Sequence, residues 1–205
     1  MIGMLKNKRL HLTPRRKSRM NSSMDTEQRP DTAWFHIIWN TLGSWLPGDP
    51  RGFRNRDHRI HSSGDYRHPP PSGEHAGLLQ YNIVRARPAV SLPTHVRPMI
   101  VEAVIEALRR RNGSPAAITV GKDHVHLLVD SPSSYEEVKQ VIGKVKTVAS
   151  LAIREHIPGS IWSRGCLVKR VSTLDHLEAT RRYITEKQER GAYVWDKDKG
   201  TWWMT

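Results

Sequence analysis

The order of the hydrophobic patterns constrains the fold of this chain more than any other feature of its sequence. Runs of branched and aromatic residues indicate strands, and apolar residues at i, i+3, i+4 and i+7 indicate helices. The patterns read strand, helix, strand, strand, helix, strand and helix. In that order they are carried by Trp34–Trp39, Val101–Leu108, Ala116–Val120, His124–Val129, Val138–Ala152, Cys166–Val171 and Leu177–Ile184.

This order predicts an α+β fold of the ferredoxin-like (split βαβ) type, in which helices back an antiparallel sheet. The last helix, at the C-terminal end of the domain, carries Tyr183. The same scaffold hosts many functions, RNA-binding modules among them. The function therefore has to be argued from particular residues.

Capping residues predict where the last two helices begin. A serine at position 133 or 134 stands three residues before a glutamate, which is the capping-box pattern. We expect this helix to end near Pro158. The last helix is expected to begin after Ser172 or Thr173 and to continue to Gly191.

The chain is predicted to contain one globular domain, because 205 residues suffice for one core. Residues 1–31 are polar, basic and without a period, and we expect a disordered arm there. Residues 32–191 form the predicted domain, within which the Gly- and Pro-rich stretch 42–80 is expected to be a long loop. Residues 192–205 form a C-terminal tail that we expect to pack on the domain.

The chain carries a large excess of positive charge, with 33 Lys and Arg against 20 Asp and Glu and a net charge of +13. This excess predicts a polyanionic partner such as nucleic acid, although a basic solvated surface would also account for it. No apolar run reaches the roughly 18 residues of a membrane span, so we expect no membrane partner.

The compartment is predicted from the N-terminus and from cysteine usage. The N-terminus lacks the apolar segment of a secretory signal, and the single Cys166 cannot form an internal disulfide. Both features favour the cytoplasm, at the nucleoid if the partner is DNA. A mitochondrial presequence is the weaker alternative, because the basic arm has no clear amphipathic period.

Two histidines on the predicted third strand are candidate metal ligands. His124 and His126 point to the same face because side chains alternate along a strand, with Cα atoms about 6.5 Å apart. Two imidazoles so placed can share one metal ion. Two surface histidines with no ligand are an equally good explanation when the pair is taken alone.

Tyr183 is the candidate nucleophile among the five tyrosines. It lies beside Arg181 and Arg182, whose guanidinium groups could bind a phosphate. A half-buried amphipathic tyrosine with no chemical role is the alternative. The other tyrosines lie in less suitable surroundings: Tyr66, Tyr81, Tyr135 and Tyr193.

Together these residues resemble those of the HUH endonucleases, and in particular the single-tyrosine transposases that include the REP-associated tyrosine transposases. The similarity begins with the family's His-hydrophobic-His signature and continues in the same order to the tyrosine. It extends from about residue 33 to residue 190. The matching segments are Lys122-Asp123-His124-Val125-His126-Leu127-Leu128-Val129, Trp162-Ser163-Arg164-Gly165, His176-Leu177-Glu178-Ala179 and Arg182-Tyr183-Ile184.

The resemblance implies metal-dependent cleavage and rejoining of single-stranded DNA, as in DNA transposition. Tyr183 would attack a phosphorus atom and form a 5′-phosphotyrosine, freeing a 3′-hydroxyl. His124 and His126 would hold Mg²⁺ or Mn²⁺, which polarises and orients the scissile phosphate. A hairpin-bearing single strand is the implied substrate, and the protein would act as a monomer or homodimer with the tyrosine in cis or from a partner.

The third metal ligand is where this chain departs from the family. Relatives usually carry Gln or Asn one helical turn after the tyrosine, but this chain has Lys187, and a charged lysine cannot coordinate a metal. On a continuing helix Glu186 lies about 60° from Tyr183 and Gln188 about 140° away. We therefore expect Glu186 to be the third ligand, with Gln188 as its substitute.

Basic and aromatic side chains provide candidate DNA contacts. The loop at 42–80 mixes aromatic and basic residues, as do sites that stack and track single strands, although a plain solvated loop would have the same composition. Cations near the fourth strand and around the tyrosine could bind phosphates or be ordinary surface charge. The predicted DNA-binding residues are Trp45, Arg51, Arg54, Lys169, Arg170, Arg181, Arg182 and Lys187.

Two other classes of function compete with the nuclease. A non-catalytic nucleic-acid-binding module, either a decayed transposase or a ferredoxin-like RNA binder, would have the same fold and charge. A structural zinc protein would need four ligands, and only one thiol is present. The sequence favours the nuclease because the histidine pair and Tyr183 occur together in the expected order.

Overall fold

The computed structural model describes residues 32–53, 61–64, 68, 70–132 and 134–205. The predicted arm lies outside these residues, as does Arg54. Within them the secondary structure comprises six strands and four α-helices, and no helix is long and apolar enough to cross a membrane. The elements are β1 (Thr32–Asn40), α1 (Ala76–Arg85), α2 (Arg97–Arg109), β2 (Ser114–Val120), β3 (His124–Pro132), α3 (Tyr135–Ala152), β4 (Leu167–Val171), α4 (Leu174–Glu186), β5 (Tyr193–Asp196) and β6 (Gly200–Trp203).

The strands form one antiparallel sheet in the order β4-β1-β3-β2-β5-β6. The four strands expected from the sequence occupy the consecutive positions β4-β1-β3-β2, with α2 in the connection from β1 to β2 and α3 in that from β3 to β4. This is the split βαβ arrangement. The predicted α+β, ferredoxin-like fold is therefore confirmed.

The main hydrophobic core lies between one face of the sheet and the helices α2 and α3. Because side chains alternate along a strand, the odd-numbered residues of β1 and β3 project into this core. Each buried aliphatic or aromatic side chain stabilises the fold by about 1.5–3 kcal/mol relative to its exposed state. The core includes Phe35, Ile37, Trp39, Val125, Leu127, Val129, Val104, Leu108, Ile142 and Val145.

The opposite face of the sheet is covered in part by α4. A second cluster forms there from Leu128 of β3, Ala117 of β2, and Leu177 and Ile184 of α4. The hydroxyl of Thr119 on β2 also donates to the carbonyl oxygen of Ile184 at 2.5 Å. These contacts fix α4 against β2 and β3, next to the even-numbered residues of the central strands.

Side-chain caps begin the last two helices where the sequence predicts them. The hydroxyl of Ser134 accepts from the N–H of Glu137, and the hydroxyl of Thr173 accepts from the N–H of His176. Each interaction satisfies an N–H that has no partner within its helix. The carboxyl ends differ from expectation, because α3 ends at Ala152 and α4 ends at Glu186.

α4 ends where the backbone conformation changes at Lys187. The backbone N–H of Lys187 still donates to the carbonyl oxygen of Tyr183, but Lys187 has left the helical conformation with φ −121° and ψ 29°. The side-chain amide of Gln188 donates to the same carbonyl at 2.9 Å. The carbonyl oxygen of Tyr183 thus accepts two hydrogen bonds at the end of the helix.

The stretch predicted as a loop at 42–80 is not irregular throughout, because α1 begins at Ala76. No residue of α1 is buried, and Tyr81, Ile83 and Val84 are exposed. The helix is attached to the preceding loop by Asn82, whose amide donates to the carbonyl oxygen of Pro47 at 3.1 Å. The sequence prediction extended the loop to residue 80 because of the Gly and Pro content of the stretch.

The predicted C-terminal tail is an ordered part of the sheet. β5 pairs with β2 along Tyr193–Asp196, and β6 pairs with β5, so the sheet continues across the expected boundary at residue 191. Val194 and Asp196 are buried, whereas Trp203 remains 41% exposed. The hairpin therefore belongs to the domain and extends it beyond the four ferredoxin-like strands.

Candidate active site

Three histidines from the two central strands meet on the face of the sheet beside α4. His126 lies opposite Ile38 in the β1–β3 register, and His36 is two residues further along β1 on the same face. Nε2 of His36 lies 3.0 Å from Nδ1 of His126, and their rings are stacked with centroids 5.2 Å apart. The ring of His124 meets that of His126 edge-on at 5.0 Å. One face of β1 and β3 thus carries a continuous group of imidazoles.

His124 is oriented by the carboxylate of Asp123. Nδ1 of His124 lies 2.8 Å from Oδ1 of Asp123, which assigns a proton to Nδ1 and leaves Nε2 to face away from the carboxylate. Carboxylate–histidine pairs of this kind hold metal-binding imidazoles in other proteins. Nε2 of His124 is therefore the nitrogen available to a ligand.

The helix α4 places Tyr183 over the histidines. Its ring centroid is 5.5 Å from that of His126 and 6.1 Å from that of His36, both in edge-on geometry. The neighbouring Ile184 is buried against the sheet, so the position of Tyr183 is determined by packing on the next residue. Tyr183 itself is 45% exposed. A single chain thus brings the tyrosine and the histidines together while leaving the tyrosine accessible.

Gln188 brings an oxygen to the histidines. Its amide nitrogen donates to the carbonyl oxygen of Tyr183, so its Oε1 is the atom that faces Nε2 of His124, at 3.5 Å. With the proton of His124 on Nδ1, both of these facing atoms are acceptors. Either a proton on Nε2 or a bound cation would satisfy the two together.

In the structure Gln188 contacts His124, whereas Glu186 as the third ligand stays a prediction. Glu186 is exposed at the end of α4, and the described residues contain no group of three or more His, Cys, Asp or Glu side chains arranged to hold a metal ion. The angle expected for Gln188 assumed an uninterrupted helix, but α4 ends at Glu186. The change in backbone direction at Lys187 turns Gln188 back towards His124.

Burial and neighbouring charges keep two of the imidazoles neutral. Burial lowers the pKa of His36 to about 4, with further lowering by Lys169 and His176. The pKa of His126 falls to about 2, first through burial and then through His124, His36 and Lys169. Because metals bind the neutral imidazole, His126 is in the required state at neutral pH.

His124 differs from the other two histidines in its electrostatics. Burial alone would lower its pKa, but the hydrogen bond and the charge of Asp123 raise it above the ordinary value, with a contribution from Glu189. The hydrogen bond with His124 in turn lowers the pKa of Asp123. The pair therefore combines an ionised carboxylate with an imidazole whose Nδ1 is held as a donor.

The structure separates the predicted DNA-binding residues into those near the site and those engaged elsewhere. Lys169 of β4 lies opposite His36 and so shares the face of the histidines, whereas Arg170 lies opposite Phe35 and projects to the other face. Arg182 and Lys187 are exposed on and just after α4. Lys169 is therefore the predicted cation that the sheet places beside the imidazoles.

Two of the predicted arginines form internal ion pairs. Arg181 binds the buried carboxylate of Asp196, with Nε 2.6 Å from Oδ2, and also binds Asp198. Arg51 binds Asp49 at 2.6 Å and lies over the ring of Trp45, 4.2 Å from its centroid. Both guanidinium groups already have carboxylate partners, so neither is a free phosphate ligand in this conformation.

His36 belongs to the site but was not found by sequence reasoning. Its signal was present in the first strand, where Phe35, Ile37 and Trp39 mark one face and a histidine stands on the other. In a ferredoxin-like sheet the first and third strands are neighbours. The alternation of side chains along each strand, together with this adjacency, would have placed His36 next to His126.

No curated protein matches the chain. A solved structure described as the REP-associated tyrosine transposase bound to a REP hairpin matches with 14% identity and a TM-score of 0.40, covering 74% of this chain and 64% of that one. The chain thus spans less than two thirds of the length of that structure.

The family comparison covers the part of the chain that contains most of the site. The model of the IS200-like transposases matches residues 81–187, just over half of the 205 residues. This segment includes His124, His126 and Tyr183, and it ends one residue before Gln188. The chain belongs to the family of IS200-like transposases.

Proposed function

We propose that this protein cleaves and rejoins single-stranded DNA through a covalent bond to Tyr183, assisted by a divalent metal ion. The observation that carries the proposal is the position of Tyr183, whose ring lies 5.5 Å from His126 while its side chain is 45% exposed. A nucleophile has to be both accessible to a DNA strand and adjacent to the groups that polarise the phosphate.

The residues that would hold the metal are His124, His126 and Gln188. Their donor set of two imidazole nitrogens and one amide oxygen is compatible with Mn²⁺ and, through the oxygen, with Mg²⁺. Nε2 of His124 and Oε1 of Gln188 are 3.5 Å apart, close enough to bind one cation between them. When bound, the ion would act as a Lewis acid that polarises the scissile phosphate and orients it towards the tyrosine.

The reaction would exchange one phosphate ester for another. The oxygen of Tyr183 attacks the phosphorus and loses its proton to solvent, and the bond from phosphorus to the 3′ oxygen breaks. The leaving 3′ oxygen takes up a proton and becomes a free hydroxyl, while the 5′-phosphate stays on Tyr183. Attack by a 3′-hydroxyl on the phosphotyrosine reverses the step and rejoins strands, without a nucleotide cofactor.

The surrounding side chains would bind and orient the strand. Lys169 lies on the same face as His36 and places a positive charge beside the imidazoles, where it can contact a phosphate. Asp123 holds the ring of His124, and Gln188 connects the backbone of Tyr183 to that ring. A hairpin-bearing single strand is the substrate that we propose, on the resemblance of the sequence.

The test is the formation of a covalent protein–DNA adduct. The full chain is incubated with Mn²⁺ and hairpin-bearing single-stranded oligonucleotides, and the products are separated under denaturing conditions. We expect an adduct with the parent chain and none with Tyr183→Phe, which lacks the attacking oxygen. Tyr81→Phe is the matched control, because Tyr81 is an exposed tyrosine on α1.

The same assay examines the metal ligands. His126→Ala and Gln188→Ala should slow adduct formation by about 10–100-fold or more, because each removes a donor to the ion. An adduct that persists in Tyr183→Phe would assign the nucleophile to another residue. Binding of the oligonucleotides with no adduct from the parent chain would instead support the non-catalytic nucleic-acid-binding module.

A further inference from the structure

The turn between β2 and β3, residues 121–123, is held by backbone hydrogen bonds from two directions. The carbonyl oxygen of Lys122 accepts from the N–H of Leu92 at 2.7 Å, and that of Asp123 accepts from the N–H of Thr41 at 2.8 Å. Leu92 leads into α2, and Thr41 follows β1. The turn that delivers His124 to the site is thus connected to two other parts of the domain.

Glu189 binds the same turn from the side of α4. Its Oε1 accepts the backbone N–H of Lys122. A Cβ atom built on Gly121 would lie 2.6 Å from this oxygen and 3.0 Å from Cε1 of His124. Glu189 and His124 therefore approach the turn so closely that a side chain at position 121 would displace them.

Arg97 holds the far end of the segment that carries Glu189. This buried residue donates from Nε to the carbonyl oxygen of Leu92 at 3.0 Å and from Nη1 to the carbonyl oxygen of Gly191. Residues 187–191 are consequently attached to the body at Glu189 and at Gly191. Gln188 lies just before the first of these attachments.

We propose that Glu189 is a positioning residue, whose hydrogen bond to the Lys122 N–H holds Gln188 against His124. The inference rests on the proposed function, in which Gln188 and His124 bind the metal. Its basis is the connection described above: the turn that carries His124 and the segment that carries Gln188 are joined by one side chain. Glu189 touches neither DNA nor metal in this role.

The test compares Glu189→Ala, Glu189→Gln and Glu178→Ala in the full chain. Glu189→Gln keeps an oxygen that can accept the Lys122 N–H, whereas Glu178→Ala removes a negative charge from an exposed position on α4 without affecting that bond. The Mn²⁺ affinity of each variant, measured by calorimetry, reports the effect on the metal site. The rate of hydrogen exchange at the Lys122 amide, measured without metal, reports the effect on the hydrogen bond.

We expect Glu189→Ala to weaken Mn²⁺ binding about tenfold, the lower end of the usual loss when a partner of a metal ligand is removed. Its Lys122 amide should exchange at least about tenfold faster, because that amide loses its acceptor. Glu189→Gln and Glu178→Ala should stay within about twofold to threefold of the parent in both measurements.

Several outcomes would overturn the positioning role. Unchanged exchange at Lys122 in Glu189→Ala would show that the hydrogen bond does not hold the turn. Faster exchange with unchanged Mn²⁺ binding would show that the bond does not position Gln188. Equal losses in Glu189→Ala and Glu189→Gln would assign the effect to the charge of Glu189 alone. Absence of Mn²⁺ binding by the parent chain would reject the proposed function itself, and the positioning role with it.

Discussion

His36 defines the orientation of His126 at the scale of single residues. Its Nε2 lies 3.0 Å from Nδ1 of His126, and both rings are buried. A hydrogen bond to Nδ1 fixes the imidazole plane and leaves Nε2 as the nitrogen that can bind a metal. His36 thus orients His126 through Nδ1, in the same way that Asp123 orients His124.

Replacing His36 should therefore weaken metal binding without unfolding the domain. We expect His36→Ala to lower the Mn²⁺ affinity about 10–100-fold, measured by calorimetry, because His126 loses the partner that orients it. His36→Gln should recover part of the loss, because its amide reaches towards the position of the imidazole Nε2. His156→Ala is the control, since His156 is exposed beyond the end of α3.

Two outcomes would contradict the orienting role of His36. An affinity within about twofold of the parent, with the thermal transition retained, would mean that His126 is oriented by packing alone. Equal weakening in His36→Ala and His36→Gln would show that the shape of the imidazole matters and its Nε2 does not.

The sequence predicts part of the site because part of its geometry is local. Strand alternation places His124 and His126 on one face, and the family resemblance identifies Tyr183. His36 contacts His126 across 90 positions of the chain, so its role depends on which strands are neighbours. Gln188 was assigned the wrong direction because the angle of about 100° per residue applies only while the helix continues, and α4 ends at Glu186.

At the scale of elements, α4 is fixed to the sheet at two points on either side of Tyr183. Thr119 of β2 donates to the carbonyl oxygen of Ile184. Arg181 binds Asp196 of β5, which is buried and also accepts the backbone N–H groups of Asp198 and Lys199 at 3.0 Å. The tyrosine is therefore positioned by contacts that its neighbours make with two strands.

The Arg181–Asp196 pair should contribute to stability in a pH-dependent way. Burial alone would raise the pKa of Asp196, but the hydrogen bonds from Arg181 and the backbone lower it below the ordinary value. A depressed carboxyl pKa contributes stability above the unfolded pKa of about 4, and this contribution is lost as the pH falls through the folded pKa. Asp196→Asn should therefore cost about 2 kcal/mol at pH 7 and less at acid pH.

Urea unfolding at pH 7 and at about pH 3 measures this difference. Asp198→Asn is the matched control, because Asp198 binds the same arginine but its side chain is 51% exposed, and surface pairs contribute about 1 kcal/mol or less. Equal losses in the two variants, or a loss in Asp196→Asn that does not shrink on acidification, would contradict a specific role for the buried pair.

The elements that the sequence predicts are those with a buried periodic face. α2, α3 and α4 each bury a stripe of residues, and the caps at Ser134 and Thr173 mark two of their starts. α1 buries no residue, and β5 and β6 have four residues each, too few to establish an alternation. β5 pairs with β2 and β6 pairs with β5, contacts that are visible only in three dimensions.

At the scale of the whole molecule, positive charge is distributed unevenly along the chain. Seven Lys and Arg, and no Asp or Glu, lie in the first twenty residues, so removing them lowers the net charge from +13 to +6. The candidate site lies entirely within the remaining sequence. Changes in this segment should therefore affect DNA binding but not the rate of the covalent reaction with bound DNA.

We expect replacement of these seven cations by glutamine to weaken single-stranded DNA binding and to reduce its dependence on salt. Each phosphate that the variant no longer neutralises should lower the slope of log K against log salt by about 0.7, so the seven replacements together would lower it by at most about 5. The affinity at low salt should fall by about tenfold or more. Adduct formation at saturating DNA should be unchanged, because Tyr183 and the histidines are retained.

Glutamine replacement keeps the length of the segment, so the comparison isolates charge. The seven replacements are at Lys6, Lys8, Arg9, Arg15, Arg16, Lys17 and Arg19. A salt slope equal to that of the parent would mean that these cations contact no phosphate, and the affinity would then have to come from the domain. A lower rate of adduct formation at saturating DNA would instead show that the N-terminal segment also orients the strand for attack by Tyr183.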